Sequence, residues 1–427
     1  PPLRAIPPGM KKTLISTLAA AALGLGLTAF GVFPTAETSD AAAPIADVTP
    51  IDVDNTPAPA AEITPAAAPA VAAEPAQRVA PPAPVVDNLS PITSPDFGDW
   101  CAAGLDAASL NTFFNDAHGQ FFGADYQRAY RLPDDRVLWM FQDAFLTING
   151  SQVLAHNVGM IQSGKCFTLL TSSSGNHSWL MNDATNGNSV WYWAMGGKVT
   201  GAGTTLQIAV TEMTERGAKY LSNVEPTGTY IVNINLADMS TTSTLAAWSS
   251  AALYGWTITS DSDFTYLYGW CYKQFGWGFL GADACETDVH LARQARSADL
   301  GSPLEYWAGN GWVTDPSAAV SVFGKVDTGN DINPVEVTFD GSKFVAISKP
   351  GDWFGDTVAI YTSTSATGPW TKVASVTATT KCDPASCDTY WASLMPWRDA
   401  AGNLVWALSH NKWEGGITPV YRPTMQA

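Results

Sequence analysis

From about residue 95 the chain alternates short apolar runs with polar turns, and the runs have the period of strands. Val137-Leu138-Trp139-Met140-Phe141, Tyr230-Ile231-Val232-Asn233-Ile234, Phe264-Thr265-Tyr266-Leu267-Tyr268 and Lys343-Phe344-Val345-Ala346-Ile347 are rich in β-branched and aromatic residues. Gly, Asn, Asp and Ser bound them, which is how strands and hairpins read in a sequence. Only residues 107–117 predict a helix, with Leu110, Phe113 and Phe114 on one face.

The strand-bearing part, residues 95–427, is too long for one ordinary sandwich. Four-stranded propeller blades take about 40–50 residues, more with insertions. Five blades of about 65 residues would fill the length. The text divides accordingly into Gly123 to Ser174, Val190 to Trp248, Tyr254 to Trp312, Pro334 to Val376, and Tyr390 to the end. Several units repeat one phrase, a strand, a turn and a second strand. The turns are Pro133-Asp134-Asp135, Asp340-Gly341-Ser342 and Asp399-Ala400-Ala401-Gly402-Asn403. The expected fold class is all-β, a five-bladed β-propeller.

Residues 41–86 hold 16 Ala and 10 Pro with no Gly and no aromatic, so they cannot build a core. The expected organisation is a leader over 1–41, an Ala/Pro-rich disordered linker over 42–94, and the propeller over 95–427. Met10-Lys11-Lys12, the apolar run from Leu14 to Phe33 and the small residues at Ser39-Asp40-Ala41 follow the order of a signal peptide. The run is also long enough to span a bilayer, so a retained anchor is the alternative. Either way the folded part is expected outside the cell.

All six cysteines lie beyond the linker, which in an exported chain predicts three disulfides. Cys382–Cys387 and Cys271–Cys285 are local pairs, leaving Cys101–Cys166. The formal net charge is −17, which excludes a phosphate-tracking nucleic-acid binder. No phosphate loop, serine-hydrolase elbow or zinc motif is present, and no cofactor or metal is expected.

The candidate chemistry lies in the first unit. Asp125 opens one strand, the Pro-Asp-Asp turn reverses the chain, and Asp143 ends the return strand. The two aspartates, eighteen positions apart, should sit side by side. Glycosidic hydrolysis uses such a pair, one carboxyl protonating the leaving oxygen and the other attacking or activating water. The bland alternative is that Asp143 caps a strand and Asp125 pairs with Arg128 or Arg131.

The phrase from Leu132 to Asp143 resembles the first-blade signature of a family of secreted five-bladed propellers, long filed as a domain of unknown function, that includes the microbial endo-D-arabinanases. His156-Asn157, Trp191-Tyr192-Trp193-Ala194-Met195-Gly196-Gly197, Asp288-Val289-His290-Leu291 and Gly368-Pro369-Trp370 are similar to later phrases of the same family. The resemblance covers roughly residues 115–415. It implies that Asp125 and Asp143 are the catalytic carboxylates. The chain departs from the family at Gln142-Asp143-Ala144, where Gly-Asp-Thr is usual: Gln142 adds bulk and Ala144 lacks a hydroxyl.

Tyr126 and Gln127 are expected at the rim, and His156 and Asn157 near the carboxylates. Trp193 is the first choice among the tryptophans to stack on a sugar, before Trp191, Trp256 and Trp270. His290 and Glu336 are further pocket candidates, weighed against core packing for His290 and a sheet-edge charge for Glu336. The expected function is a secreted, monomeric glycoside hydrolase acting on an arabinan-type (D-arabinofuranosyl) cell-envelope polysaccharide. The alternative is a non-catalytic carbohydrate-binding or adhesion propeller at the cell surface.

Overall fold

The computed structural model describes residues 100–115, 121–172, 177–185, 189–215, 224–246, 248, 252–270, 289–324, 335–350, 357–377, 387–414 and 417–426. The leader, the linker and the pairings of Cys271, Cys285, Cys382 and Cys387 lie outside the described residues or side chains.

Five antiparallel sheets follow one another along the chain. Blade 1 holds β1 (Trp100–Cys101), β2 (Phe121–Ala124), β3 (Arg128–Arg131), β4 (Val137–Ile148), β5 (Ser151–Ser163) and β6 (Cys166–Leu170). Blade 2 holds β7 (Ala184–Thr185), β8 (Ser189–Thr200), β9 (Thr205–Glu215), β10 (Val224–Asn235) and β11 (Thr241–Leu245). Blade 3 holds β12 (Thr257–Ser260), β13 (Phe264–Trp270), β14 (Val289–Ala295), β15 (Glu305–Trp307), β16 (Trp312–Val313) and β17 (Ser321–Phe323). Blade 4 holds β18 (Glu336–Phe339), β19 (Phe344–Ser348), β20 (Thr357–Ser363) and β21 (Thr371–Thr377). Blade 5 holds β22 (Cys387–Arg398), β23 (Leu404–Glu414) and β24 (Ile417–Gln426).

The channel-side strands meet in a closed ring. β8 touches blade 1 and β12, β12 touches β18, β18 touches β22, and β22 touches β3. This is the predicted five-bladed propeller. The helix α1 (Ala107–Asn115) buries Leu110, Phe113 and Phe114, as its stripe predicts. It covers the outer edge of blade 5. The Asn111 amide donates to the Met425 carbonyl (3.0 Å) and accepts from the Met425 N–H (2.6 Å), replacing a strand partner at that edge. The predicted Cys101–Cys166 disulfide is present and joins β1 to β6 at opposed positions.

Middle strands of a propeller are buried on both faces, and β4 shows why its sequence is a continuous apolar run. Val137, Trp139 and Phe141 pack toward Met395, Val405 and Met425 of blade 5. Leu138 and Met140 pack toward Ile208, Val210 and Val232 of blade 2. The alternation then changes phase, because Ala144 and Leu146 rejoin the first group. On β5 the same shift separates Ala155 from Val158 and Met160. Asn157 sits at that shift with a left-handed φ of 47°. On the channel side Tyr126, also at φ 47°, interrupts the strand between β2 and β3. Three neighbouring strands therefore break step at one level, and Asp125, Asp143 and His156 lie on it. Contrary to the sequence expectation, Asp143 is not at a strand end: β4 continues to Ile148.

Candidate active site

The two aspartates face each other across the first two strands. The Asp125 N–H donates to the Asp143 carbonyl (3.0 Å), and the Gln142 N–H donates to the Asp125 carbonyl (3.2 Å). The Asp143 N–H also reaches the Asp125 side chain, at 3.2 Å from Oδ1. The other carboxylate oxygen, Oδ2, accepts the Tyr390 hydroxyl at 2.8 Å. Asp125 is thus held from blade 1 and blade 5 together, and it is buried. Burial, then the charge of Asp125 and the hydrogen bond to it, hold the Tyr390 phenol well above its ordinary pKa, so it stays a neutral donor.

The Asp143 carboxylate is held from the other side. Its Oδ1 lies 2.5 Å from His156 Nδ1, the residue opposite it on β5, and accepts the indole N–H of Trp193 at 2.9 Å. The second imidazole nitrogen, Nε2, lies 3.6 Å from Oδ2 of Asp183. The His156 ring stacks on Trp191, with centroids 5.7 Å apart. Burial alone would lower the His156 pKa, but the charge and hydrogen bond of Asp143 outweigh it, with help from Asp183 and Asp125. The net shift is upward. His156, Asp143 and Asp183 keep side-chain exposures of 12%, 15% and 26%, so the cluster borders solvent.

Beneath it the channel is packed. Tyr126 stacks on Trp391 (5.8 Å) and meets Trp256 edge-on (6.1 Å). The buried Arg128 guanidinium lies 4.4 Å from the Trp391 ring and 5.4 Å from Trp256, a cation held by two indole faces. Its Nε and Nη2 have no hydrogen-bond partner among the described residues. Glu336 shares this layer, accepting the Leu394 N–H at 3.0 Å. Its pKa is pushed up to about 7 by burial, against the pull of Arg128 and of that N–H.

The predicted residues separate into three groups. Asp125, Asp143, His156 and Trp193 come together as expected, and Tyr126 floors the site. Glu336 acts electrostatically on Arg128 and Tyr130, in the layer below. His290 lies on the third strand of its blade, two strands out from the channel.

Two predicted binding residues are corrected. Gln127 has no exposed surface: its amide donates to Ser393 (3.0 Å), and its Oε1 accepts from Ser409 (2.8 Å). Asn157 is equally enclosed. It accepts the N–H groups of Leu180 and Met181 and donates to the carbonyls of Met181 and Tyr192. Gln127 ties blade 1 to two serines of blade 5, Asn157 holds backbone in place, and both side chains are spent inside the fold. Trp256 is likewise buried in the packed channel layer, and the Trp270 side chain lies outside the described residues.

The structure also adds Tyr390 and Asp183, for which the sequence carries no signal. Neither stands in a motif, and only folding brings Tyr390 to Asp125 and Asp183 to His156. The Gln142 departure has a structural role. Its buried amide donates to the Ala194 carbonyl at 3.0 Å, next to Trp193, so its bulk lies between blades and not in the site.

A polar groove of about 500 Å³, lined by Lys198, Thr200, Thr259, Ser260 and Arg296 among others, lies toward the far end of β8. Its nearest lining residue on β8, Gly197, lies four strand residues from Trp193, roughly 13 Å, and none of its lining residues belongs to the aspartate cluster.

Fold and site together define a five-bladed propeller with a carboxylate pair on the first blade. Residues 107–425 match the family described as a domain of unknown function, DUF5005, and the chain belongs to that family. None of the curated proteins matches it. Among solved structures it is similar to a candidate hydrolase from Bacteroides ovatus, with TM-score 0.55 and 18% identity over 74% of this chain and 87% of that one. It is more distantly similar to the catalytic domain of a Coprinopsis cinerea GH62 α-L-arabinofuranosidase, with TM-score 0.36 and 11% identity over 80% of this chain and 96% of that one. A xylan β-1,4-xylosidase from Bacillus halodurans is also similar, with TM-score 0.43 and 12% identity over 72% of this chain and 53% of that one.

Proposed function

We propose that this protein is an exported glycoside hydrolase that cleaves an arabinan-type, D-arabinofuranosyl polysaccharide of the cell envelope, with Asp125 and Asp143 as its two catalytic carboxylates. The observation that carries the reading is their juxtaposition. They come from adjacent strands, are linked by the Asp143 N–H at 3.2 Å from Oδ1 of Asp125, and have separate supports. Asp125 rests on Tyr390, while Asp143 rests on His156 and Trp193. Two carboxyls in different surroundings are what acid–base division requires. The first-blade phrase from Leu132 to Asp143 supports the substrate class. Trp193 offers a half-buried indole beside Asp143, suited to the C–H face of a sugar ring.

Hydrolysis breaks the glycosidic C–O bond, and its electron pair goes to the leaving oxygen, which takes a proton from one carboxyl. The anomeric carbon gains an oxygen by one of two routes. Either the second carboxylate attacks it and water then displaces that ester, or a water attacks directly and the second carboxylate takes its proton. In the net reaction the hydroxyl of water ends on the anomeric carbon, and its other proton replaces the one given to the leaving oxygen.

The test is incubation of the whole protein with an arabinogalactan, followed by chromatography of released oligosaccharides. Release of D-arabinose-containing fragments supports the reading, and an unchanged polymer after long incubation contradicts it. A non-catalytic glycan-binding propeller is the second reading. It is favoured by the burial of Asp125 and by the engagement of both its oxygens within the protein. Binding without product selects it.

A further inference from the structure

The imidazole of His156 is placed between two carboxylates, and this arrangement has consequences for the pair it adjoins. Nδ1 lies 2.5 Å from Asp143 and Nε2 lies 3.6 Å from Asp183. A neutral imidazole has one donor nitrogen and one acceptor nitrogen, so it would turn a lone pair toward one carboxylate. Only the ring protonated on both nitrogens faces both carboxylates favourably. The neighbours from every side agree. β4 contributes Asp143 and the segment before β7 contributes Asp183. Asp125 acts at longer range from the channel side, and β8 supplies the neutral ring of Trp191.

The second carboxylate is itself fixed. Ser178 donates to Oδ1 of Asp183 at 3.3 Å. The turn before Asp183 is pinned by Asn157, which immediately follows His156 and binds the backbone of Leu180 and Met181. One dipeptide, His156-Asn157, therefore places the imidazole and also the loop that brings its second counter-charge. The left-handed φ of 47° at Asn157 turns these neighbours to their separate tasks.

We propose that His156 is a positioning residue: as an imidazolium braced by Asp183, it holds the Asp143 carboxyl in one fixed orientation, which leaves Asp125 to deliver the proton to the leaving oxygen. The division of roles rests on the glycosidase reading above; the imidazolium bridge does not. Paired with the imidazole at 2.5 Å, Asp143 is the carboxylate that attacks the anomeric carbon or receives the proton of water. Asp125 must carry a proton when the leaving oxygen departs, and the Tyr390 hydroxyl, which both donates and accepts, accommodates either protonation state of Asp125.

The test has two arms on the whole protein. In the first, nitrogen chemical shifts of the histidine rings are followed against pH. The chain has five histidines, few enough to assign by substitution. His156 is expected to be doubly protonated at pH 6.5 and to titrate above the ordinary 6.5. Asp183→Asn is expected to lower that midpoint while His156 remains folded against Trp191. A neutral single-tautomer ring at pH 6, or a midpoint indifferent to Asp183→Asn, overturns the bridge.

In the second arm, pH profiles of kcat/KM on the arabinan compare wild type, Asp183→Asn and His156→Gln. The alkaline limb is expected to move to lower pH in Asp183→Asn. kcat is expected to fall at least about tenfold in His156→Gln, with KM changed less than about twofold. A pH profile unmoved by Asp183→Asn overturns the role division. A wild-type protein inactive on every glycan contradicts the glycosidase reading alone, since the ring titration still decides the bridge.

Discussion

The Tyr390 hydroxyl on β22 donates a 2.8 Å hydrogen bond to Oδ2 of Asp125, across the seam where blade 5 closes on blade 1. The first blade therefore does not complete its own site. Ring closure supplies the group that orients one of its two carboxyls. Ser409 does the same for the neighbouring backbone, accepting the Tyr126 N–H at 2.8 Å.

Removing that hydroxyl should cost activity more than stability. A hydrogen bond to a charged group contributes about 1.5–3 kcal/mol. Tyr390→Phe is expected to lower kcat about tenfold to a hundredfold, while the melting temperature shifts by only a few degrees. Initial rates on arabinan together with a thermal melt check this. An unchanged kcat would show that Tyr390 does not orient Asp125.

Stability should fall as the solution becomes less acidic, between about pH 5 and 8. Glu336 titrates near 7 when folded and near 4.5 when unfolded, because burial disfavours its charge. Its contribution is full below the unfolded value and is lost as pH rises through the folded one. His156 has the same sign, since its folded pKa is raised above 6.5. Asp261 and Asp340 are shifted down from 3.8 despite burial, by hydrogen bonds to their turn N–H groups, and so weaken the fold only at lower pH. Chemical denaturation across this range should show the decline, and Glu336→Gln should flatten its lower half. An equally steep decline in that variant would contradict the assignment.

Asn157→Ala should behave as a structural lesion that propagates to the site. It strands two N–H groups and two carbonyls that are buried around the turn before Asp183. The expected loss is about 3 kcal/mol, measured by denaturant unfolding, with the His156 ring titrating lower as Asp183 is released. A stable variant with an unmoved His156 would show that the turn is held by other means.

Much of the architecture is legible in the sequence because strand period and turn chemistry are local. The five units, the α1 stripe and the Asp340-Gly341-Ser342 hairpin are found in the predicted order, although blade 1 also takes in Trp100–Cys101 and blade 3 runs on to Phe323. The Cys101–Cys166 pair is the one left over once the closely spaced cysteines are matched with each other. Asp125 and Asp143 are legible as neighbours because one hairpin joins them. What escapes is whatever another blade contributes. Tyr390 is 265 residues from Asp125, and no local pattern marks the contact. Gln127 and Asn157 mislead for a related reason. Polar side chains beside a candidate site look available in sequence, and only folding shows them spent on backbone and serine partners. Gln142 likewise reads as an intrusion until its amide is seen to tie blade 1 to Ala194 of blade 2.

The central claim is tested most directly by substituting the two carboxylates while sparing their shape. Reducing-end release from arabinan would be measured for wild type, Asp125→Asn and Asp143→Asn, each first shown to melt within about 5 °C of wild type, the shift expected from a loss of about 2 kcal/mol or less in a domain of this size. Both variants are expected to lose at least about a thousandfold in rate. Folded variants that release product as fast as the wild type would show that this pair of aspartates does not carry the reaction.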